Sequence, residues 1–201
     1  MILFDFDGTL VKNWKMIYEQ WKEVGKTFNV KLTEKEFREK LNPEWHEFVK
    51  NVLNIDFEKN KKQLVTMIKQ IYAENIIKQE IIPELAEYLK NKEFGVVTSG
   101  FSKSVKQLCD KARIKPKIII SSTEMGTSNK TKLIKKTLEQ IKSKVYVGDT
   151  EQDIQAAKKN DLTTIAVTWG FHTKTRLEKA KPDYLINNEK KLIKLLNQLE
   201  S

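Results

Sequence analysis

The first ten residues, Met1-Ile2-Leu3-Phe4-Asp5-Phe6-Asp7-Gly8-Thr9-Leu10, run from an uninterrupted apolar stretch into two carboxylates, a glycine and a threonine. An apolar run of this length reads as a buried strand of a parallel sheet, and ligands of such sheets sit beyond the carboxyl ends of the strands. Alternation along a strand sends Asp5 and Asp7 to one face and Phe6 to the other. Two acids then converge at a strand tip. There they can hold a hard cation through their oxygens, or divide the labour of nucleophile and proton carrier. Taken alone, Asp-x-Asp-Gly also fits an ordinary turn or helix cap, so the reading rests on what the rest of the chain adds.

The rest of the chain has two characters. From Trp14 to Glu80 the apolar residues recur only at helical spacing: Trp14, Ile17, Tyr18, Trp21, Val24 and Phe28; Phe37, Leu41, Trp45, Phe48, Val49 and Val52; Leu64, Val65, Ile68, Ile71 and Tyr72. Thr33-Glu34-Lys35-Glu36 predicts a capping box, and Asn42-Pro43-Glu44 a turn. After Pro83, helices alternate with short β-rich runs. Strands are predicted at Phe94–Thr98, Lys117–Ser121, Lys144–Val147, Thr163–Val167 and Tyr184–Ile186, and helices at 83–92, 102–113, 131–141, 151–159 and 190–199. This alternation predicts an α/β fold, a three-layer Rossmann-like core with a parallel sheet that takes one strand from Met1–Leu10. The helical stretch becomes an inserted all-helical domain, 12–82, between core segments 1–11 and 83–201.

A chain of 201 residues can bury a full core, and no segment approaches the about 18 apolar residues of a membrane span. The start of the chain lacks the pattern of a signal peptide, so a cytoplasmic protein with no membrane partner is expected. Lone Cys109 sits at helical spacing with Val105 and reads as a small buried hydrophobe. The net charge of +10 is concentrated between Phe101 and Lys144, where twelve basic residues face three acids. Such a field speeds the arrival of anionic substrates. The lysines lack interleaved aromatics, which argues for a solvated face and against nucleic acid.

The other strand ends carry polar chemistry too. Thr98-Ser99-Gly100 follows one strand with hydroxyls and main-chain N–H groups able to cradle a phosphate. Gly148-Asp149-Thr150-Glu151-Gln152-Asp153 follows another, and a helix starting near Thr150 sets Asp149 and Asp153 one turn apart. Joined to Asp5 and Asp7, these acids need a cation, and Mg²⁺ suits an all-oxygen site completed by substrate phosphate. Lys130, at the opening of a predicted helix, can neutralise a carboxylate and a phosphate.

These four pieces, in this order, resemble the haloacid dehalogenase superfamily, over essentially the whole chain. The resemblance implies that Asp5 is a nucleophile that becomes an aspartyl phosphate and that Asp7 serves the leaving group as acid and then water as base. It implies that Thr98 holds the phosphoryl oxygens, helped by the main chain of Ser99 and Gly100, while Lys130 steadies the charge. Mg²⁺ would be ligated by Asp5, the Asp7 carbonyl and Asp149, with Asp153 supporting the metal or orienting Lys130. An acid at Asp7 favours phosphoryl transfer over halide displacement. The helical insertion, with the Val167–His172 and Pro182–Ile186 segments, is similar to the phosphoglycolate phosphatase and β-phosphoglucomutase branch, in which it would act as a cap. Asn42, Trp45 and His46 then fall where such caps read the leaving group, Trp45 fitting a helix core as well, and His172 becomes a candidate for lining the pocket. Three features depart from the pattern: Val11-Lys12-Asn13 replaces the acid and hydroxyl found in many relatives, Thr131 stands where many have proline and leaves Lys132 as a rival to Lys130, and the cap lacks an imine-forming lysine motif. The reading is a Mg²⁺-dependent phosphatase of a small phosphorylated metabolite. A phosphomutase, or a basic binding module with an idle pocket, stays open.

Overall fold

The computed structural model describes residues 1–42, 45–76 and 78–200, with the side chains at 45, 69 and 71–76 left aside. The turn expected around Pro43 and Glu44 and the core roles of Trp45, Ile71 and Tyr72 therefore lie outside the described residues.

The alternating part folds as predicted in kind. Six strands, β1 (Ile2–Phe4), β2 (Phe94–Thr98), β3 (Ile118–Ser121), β4 (Val145–Gly148), β5 (Thr163–Val167) and β6 (Tyr184–Ile186), form one all-parallel sheet in the order β3-β2-β1-β4-β5-β6. The chain runs from β1 to β2 and β3 on one side and then crosses back past β1 to β4 on the other, which opens the crevice where open α/β sheets take ligands. Central β1 is apolar on both faces because both are covered, with Ile2, Leu3 and Phe4 at most 1% exposed. Leu3 lies level with Gly95 on β2 and Tyr146 on β4, and beyond Phe4 the neighbouring strands run on to Thr98 and Gly148.

Helices after the insertion are α5 (Pro83–Leu89), α6 (Ser102–Lys111), α7 (Ser122–Met125), α8 (Lys130–Leu138), α9 (Glu151–Lys158), α10 (Lys174–Lys179) and α11 (Glu189–Glu200). Leu133 and Ile134 of α8 and Ala156 and Ala157 of α9 pack with Leu3, Val97 and Tyr146 of the sheet, giving the three-layer Rossmann-like architecture. Cys109 is buried on α6, where burial pushes its thiol up to about 12. The expected first strand proves shorter: after Phe4 the chain turns, with the N–H groups of Thr9, Leu10 and Val11 all directed to the Phe6 carbonyl. Helices α7 and α10 were not expected, and at four and six residues they are too short to show a period.

The chain divides into two compact units, Met1–Lys12 with Glu80–Ser201, and Asn13–Gln79. The second contains α1 (Trp14–Thr27), α2 (Glu34–Lys40), α3 (Trp45–Asn51) and α4 (Phe57–Ile76). The capping box forms at α2, where the Thr33 hydroxyl accepts from the Glu36 N–H and the Glu36 carboxylate accepts from the Thr33 N–H. Its core is aromatic: Phe48 packs edge-on against Trp21 at 5.2 Å and Phe37 at 5.8 Å, above buried Val24, Val49, Leu53 and Leu64. No helix among the described residues is long and apolar enough to cross a membrane.

Phe37 is fully buried within this aromatic set. Phe37→Ala is expected to destabilise the helical unit by about 3–5 kcal/mol in urea unfolding followed by tryptophan fluorescence. A loss below about 1 kcal/mol would remove Phe37 from its core.

Candidate active site

Asp5 leaves the end of β1 with its N–H bonded to the Val147 carbonyl at 2.8 Å, which keeps it in line with β4. The loop that follows closes over Asp149, the residue after β4. Thr9 Oγ1 donates to Asp149 Oδ1 at 2.8 Å, and Trp169 Nε1 holds the Thr9 carbonyl at 3.1 Å. From the other side the Phe171 N–H donates to Asp149 Oδ2 at 2.7 Å. Gly8 has φ +81°, and a Cβ at Gly8 or at Gly170 would lie 2.2 Å from Asp149 Oδ2, so both positions need glycine for the backbone to come this close.

Thr150 caps α9, and Asp153 completes the box: Oδ2 accepts from the Thr150 N–H at 3.1 Å and from its hydroxyl at 2.6 Å. Asp153 Oδ1 accepts from the Tyr146 hydroxyl at 3.2 Å and lies 3.2 Å from Lys130 Nζ. Lys130 opens α8, with the Asn129 side chain as its cap. Its ammonium donates to Asp5 Oδ1 at 2.6 Å and to the Val97 carbonyl at 3.0 Å. Lys132 is exposed, its main-chain N–H engaged by that cap, so the ammonium brought to the cluster is that of Lys130.

At the end of β2, Thr98 is fully buried and its Oγ1 accepts from the Gly100 N–H at 2.9 Å, while Ser99 and Gly100 are half-buried. Asp7 is half-buried and its charge acts on Asp5. All these side chains belong to the first unit. Asn42 and His46 belong to the helical unit, the His46 ring 6.1 Å from Phe57. His172 does not face a pocket: it is fully buried, and its Nδ1 accepts from the Glu151 N–H at 2.9 Å, tying down the start of α9. The sequence reading assigned no part to Tyr146, Thr9 or Gly170. Tyr146 looks like strand core, and only its hydroxyl marks it.

Asp5, Asp149 and Asp153 each offer an oxygen, all within 4.8 Å of one another, and all three residues are buried. Like charges at that separation repel by about 3–4 kcal/mol per pair at an effective dielectric constant of about 20. Burial pushes Asp5 up to about 7, with Lys130 pulling it back and Asp153 and Asp7 pushing it higher. Burial also raises Asp149 well above the usual carboxylate range, with Asp5 and Asp153 adding to it and the Phe171 N–H and Thr9 hydroxyl opposing it. Burial works against the charge on Lys130, but Asp153 and Asp5 outweigh it and hold the amine above its ordinary value. One ammonium among three carboxylates leaves negative charge to spare, and the donors are all oxygens. That set fits a hard divalent cation.

Folding raises the Asp5 pKa from 3.8 to about 7, so the folded state holds a proton that the unfolded chain has already lost above about pH 5. With chelator present, stability is therefore expected to fall as pH climbs toward 7, a trend that pH-resolved thermal melts would read directly. At pH 7.5, Mg²⁺ at about a hundred times its dissociation constant should raise Tm by about 5–10 °C. Asp149→Asn should erase that shift, and a full shift in the variant would remove Asp149 from the cation site.

The sequence model described as haloacid dehalogenase-like hydrolase matches residues 2–167. The phosphoglycolate phosphatase of Aquifex aeolicus is 25% identical over 211 residues, covering 98% of this chain and 96% of that protein. The pyrophosphatase PpaX of Bacillus mycoides is 23% identical over 215 residues, covering 98% and 97%. A crystal structure of a predicted phosphatase from Clostridium acetobutylicum superposes with a TM-score of 0.83 at 24% identity, covering 98% of this chain and 97% of that one. With sheet order, acid cluster and family model in agreement over most of its length, the chain belongs to the haloacid dehalogenase-like hydrolase family.

Proposed function

We propose that this protein is a Mg²⁺-dependent phosphatase that hydrolyses a small phosphomonoester through an aspartyl phosphate on Asp5. The observation that carries the reading is the Lys130 ammonium, 2.6 Å from one oxygen of Asp5, among buried Asp149 and Asp153. Lys130 fixes Asp5 Oδ1, and among the described residues the other oxygen takes no hydrogen bond while the side chain keeps 11% exposure. That oxygen is the nucleophile. It attacks phosphorus as the ester P–O bond breaks, and Asp7 gives its proton to the departing oxygen. Asp7 then takes a proton from water, whose oxygen attacks the same phosphorus. The aspartyl P–O bond breaks, inorganic phosphate leaves, and Asp5 is restored.

Thr98 suits the phosphoryl group because its hydroxyl oxygen is occupied by the Gly100 N–H, which leaves the hydroxyl proton to donate to a phosphoryl oxygen. Mg²⁺, held by Asp5, the Asp7 carbonyl and Asp149, would supply positive charge to the phosphoryl oxygens. Asp153, engaged by Thr150, Tyr146 and Lys130, orients Lys130 and adds its charge to the cation's surroundings. The helical unit serves as a cap, with Asn42 and His46 reading the leaving group. Relatives named as phosphoglycolate phosphatase and pyrophosphatase support a small phosphorylated substrate.

The test is phosphate release from a panel of small phosphomonoesters and pyrophosphate, with Mg²⁺ and with EDTA. Release is expected only with Mg²⁺, and Asp5→Asn should bring it to the buffer background, whereas full activity in that variant would overturn the mechanism. Asp7→Asn should lower kcat by about 10²–10⁴-fold. Asn42→Ala and His46→Ala should reorder the esters without altering the Mg²⁺ requirement.

A further inference from the structure

The segment that follows β3 makes a set of contacts that the mechanism leaves unused. Ser121 Oγ donates to the Gly100 carbonyl at 2.6 Å, and Ser122 Oγ donates to the Ser99 carbonyl at 2.8 Å. Thr123 Oγ1 lies 2.6 Å from Ser121 Oγ, and the Ser102 hydroxyl reaches across to Glu124. Ser121 is fully buried, Ser122 is half-buried, and Ser121 sits level with Thr98 on the neighbouring strand. Two successive carbonyls of the loop proposed to hold phosphate are thus bonded by side-chain hydroxyls from one direction.

That direction matters because of the sheet order. β3 lies on the side of β2 away from β1, while Asp5 lies at the end of β1. In a trans peptide the C=O and N–H point to opposite sides of the chain. Fixing the Ser99 carbonyl toward β3 turns the Gly100 N–H the other way, and it is found on Thr98 Oγ1 at 2.9 Å. Fixing the Gly100 carbonyl turns the Phe101 N–H to the same side. Either peptide, if flipped, would present a carbonyl oxygen to an anion, and a flip of the Ser99–Gly100 peptide would also release the Thr98 hydroxyl from its orientation.

We infer that Ser121 and Ser122 are positioning residues for phosphate recognition, holding the two peptide planes so that N–H groups and the Thr98 hydroxyl face the phosphoryl site. This inference rests on the phosphatase reading and deepens it: it assigns phosphate affinity partly to side chains that do not touch phosphate. Removing the Ser122 hydroxyl takes its donor from the Ser99 carbonyl, and removing the Ser121 hydroxyl leaves the Gly100 carbonyl with the longer bond from Thr123 Oγ1 at 3.4 Å, so that either peptide is freer to turn. The effect falls on binding of the phosphoryl group, not on cation binding or on the nucleophile.

The experiment uses the Mg²⁺-loaded protein, with p-nitrophenyl phosphate as substrate and inorganic phosphate as competing product. Ser121→Ala and Ser122→Ala are each expected to raise KM and the phosphate inhibition constant about tenfold, which is ~1.4 kcal/mol. In both, kcat should fall less than that, and the Mg²⁺ midpoint should stay close to the parent's. Ser122→Thr, which restores a hydroxyl at a half-buried position, should recover the parent values. If Ser121→Ala fails to fold, Ser122→Ala and Ser122→Thr decide the matter alone. Unchanged KM and phosphate inhibition in folded alanine variants, or a threonine variant no better than alanine, would overturn the inference and leave the phosphatase intact. A parent protein that hydrolyses no ester and is untouched by phosphate would take both down together.

Discussion

Three carboxylates buried around a single ammonium dominate this molecule, because charges so placed persist only where neighbouring donors and opposite charge offset their burial. The fold supplies those partners from separate strand ends. β1 brings Asp5, β4 brings Asp149 with Asp153 a turn beyond, and α8 opens with Lys130 so that its side chain reaches back to both strands. Sheet order is what makes this possible, since β1 lies between β2 and β4 and all three are parallel, with their carboxyl ends on one side of the sheet. A parallel sheet with a different order would scatter the same residues.

Around the charges runs a layer of neutral groups that is as constrained as the acids. Thr9, Tyr146, Thr150 and the Phe171 N–H each give a hydrogen bond to Asp149 or Asp153. His172 takes the Glu151 N–H, and Gly8 and Gly170 make room for Asp149. None of these groups carries formal charge in the reaction proposed. They hold in place groups that would otherwise repel, and the Asp5 and Asp149 carboxyls are raised first by burial and then by their neighbouring carboxylates, both of which a bound cation would offset. Stability is given up at this site in favour of chemistry.

The acids were legible in the sequence because spacing alone constrains them: a strand run before Asp5, and the turn between Asp149 and Asp153, follow from backbone periodicity. The strands Phe94–Thr98, Thr163–Val167 and Tyr184–Ile186 were legible for the same reason, being short β-rich runs bounded by turn residues or charges. What the sequence left open was decided by side-chain reach. Lys130 and Lys132 are equally basic in the sequence, and only the start of α8 determines which one turns inward. Tyr146 reads as apolar core until its hydroxyl is seen on Asp153, and His172 reads as pocket lining until its ring is found under α9. The one-turn helix α7 left no periodic trace, yet the serines that bound its start hold the loop after β2.

The same contrast explains why chemistry is more legible here than substrate. The helical unit begins at Asn13 and ends at Gln79, and these two buried side chains bond to each other at 3.1 Å. Just outside it, the Ile82 N–H bonds to the Leu10 carbonyl at 2.9 Å within the first unit. An insertion whose ends are tied together in this way imposes little on the sheet, and its aromatic core around Phe37 and Phe48 is its own. Its surface residues can change without disturbing the acid cluster, and the acids can stay fixed while the insertion changes. Motifs at the strand ends are therefore held by mutual electrostatic dependence and read clearly, whereas residues on the surface of the insertion carry no comparable constraint that a single sequence would show.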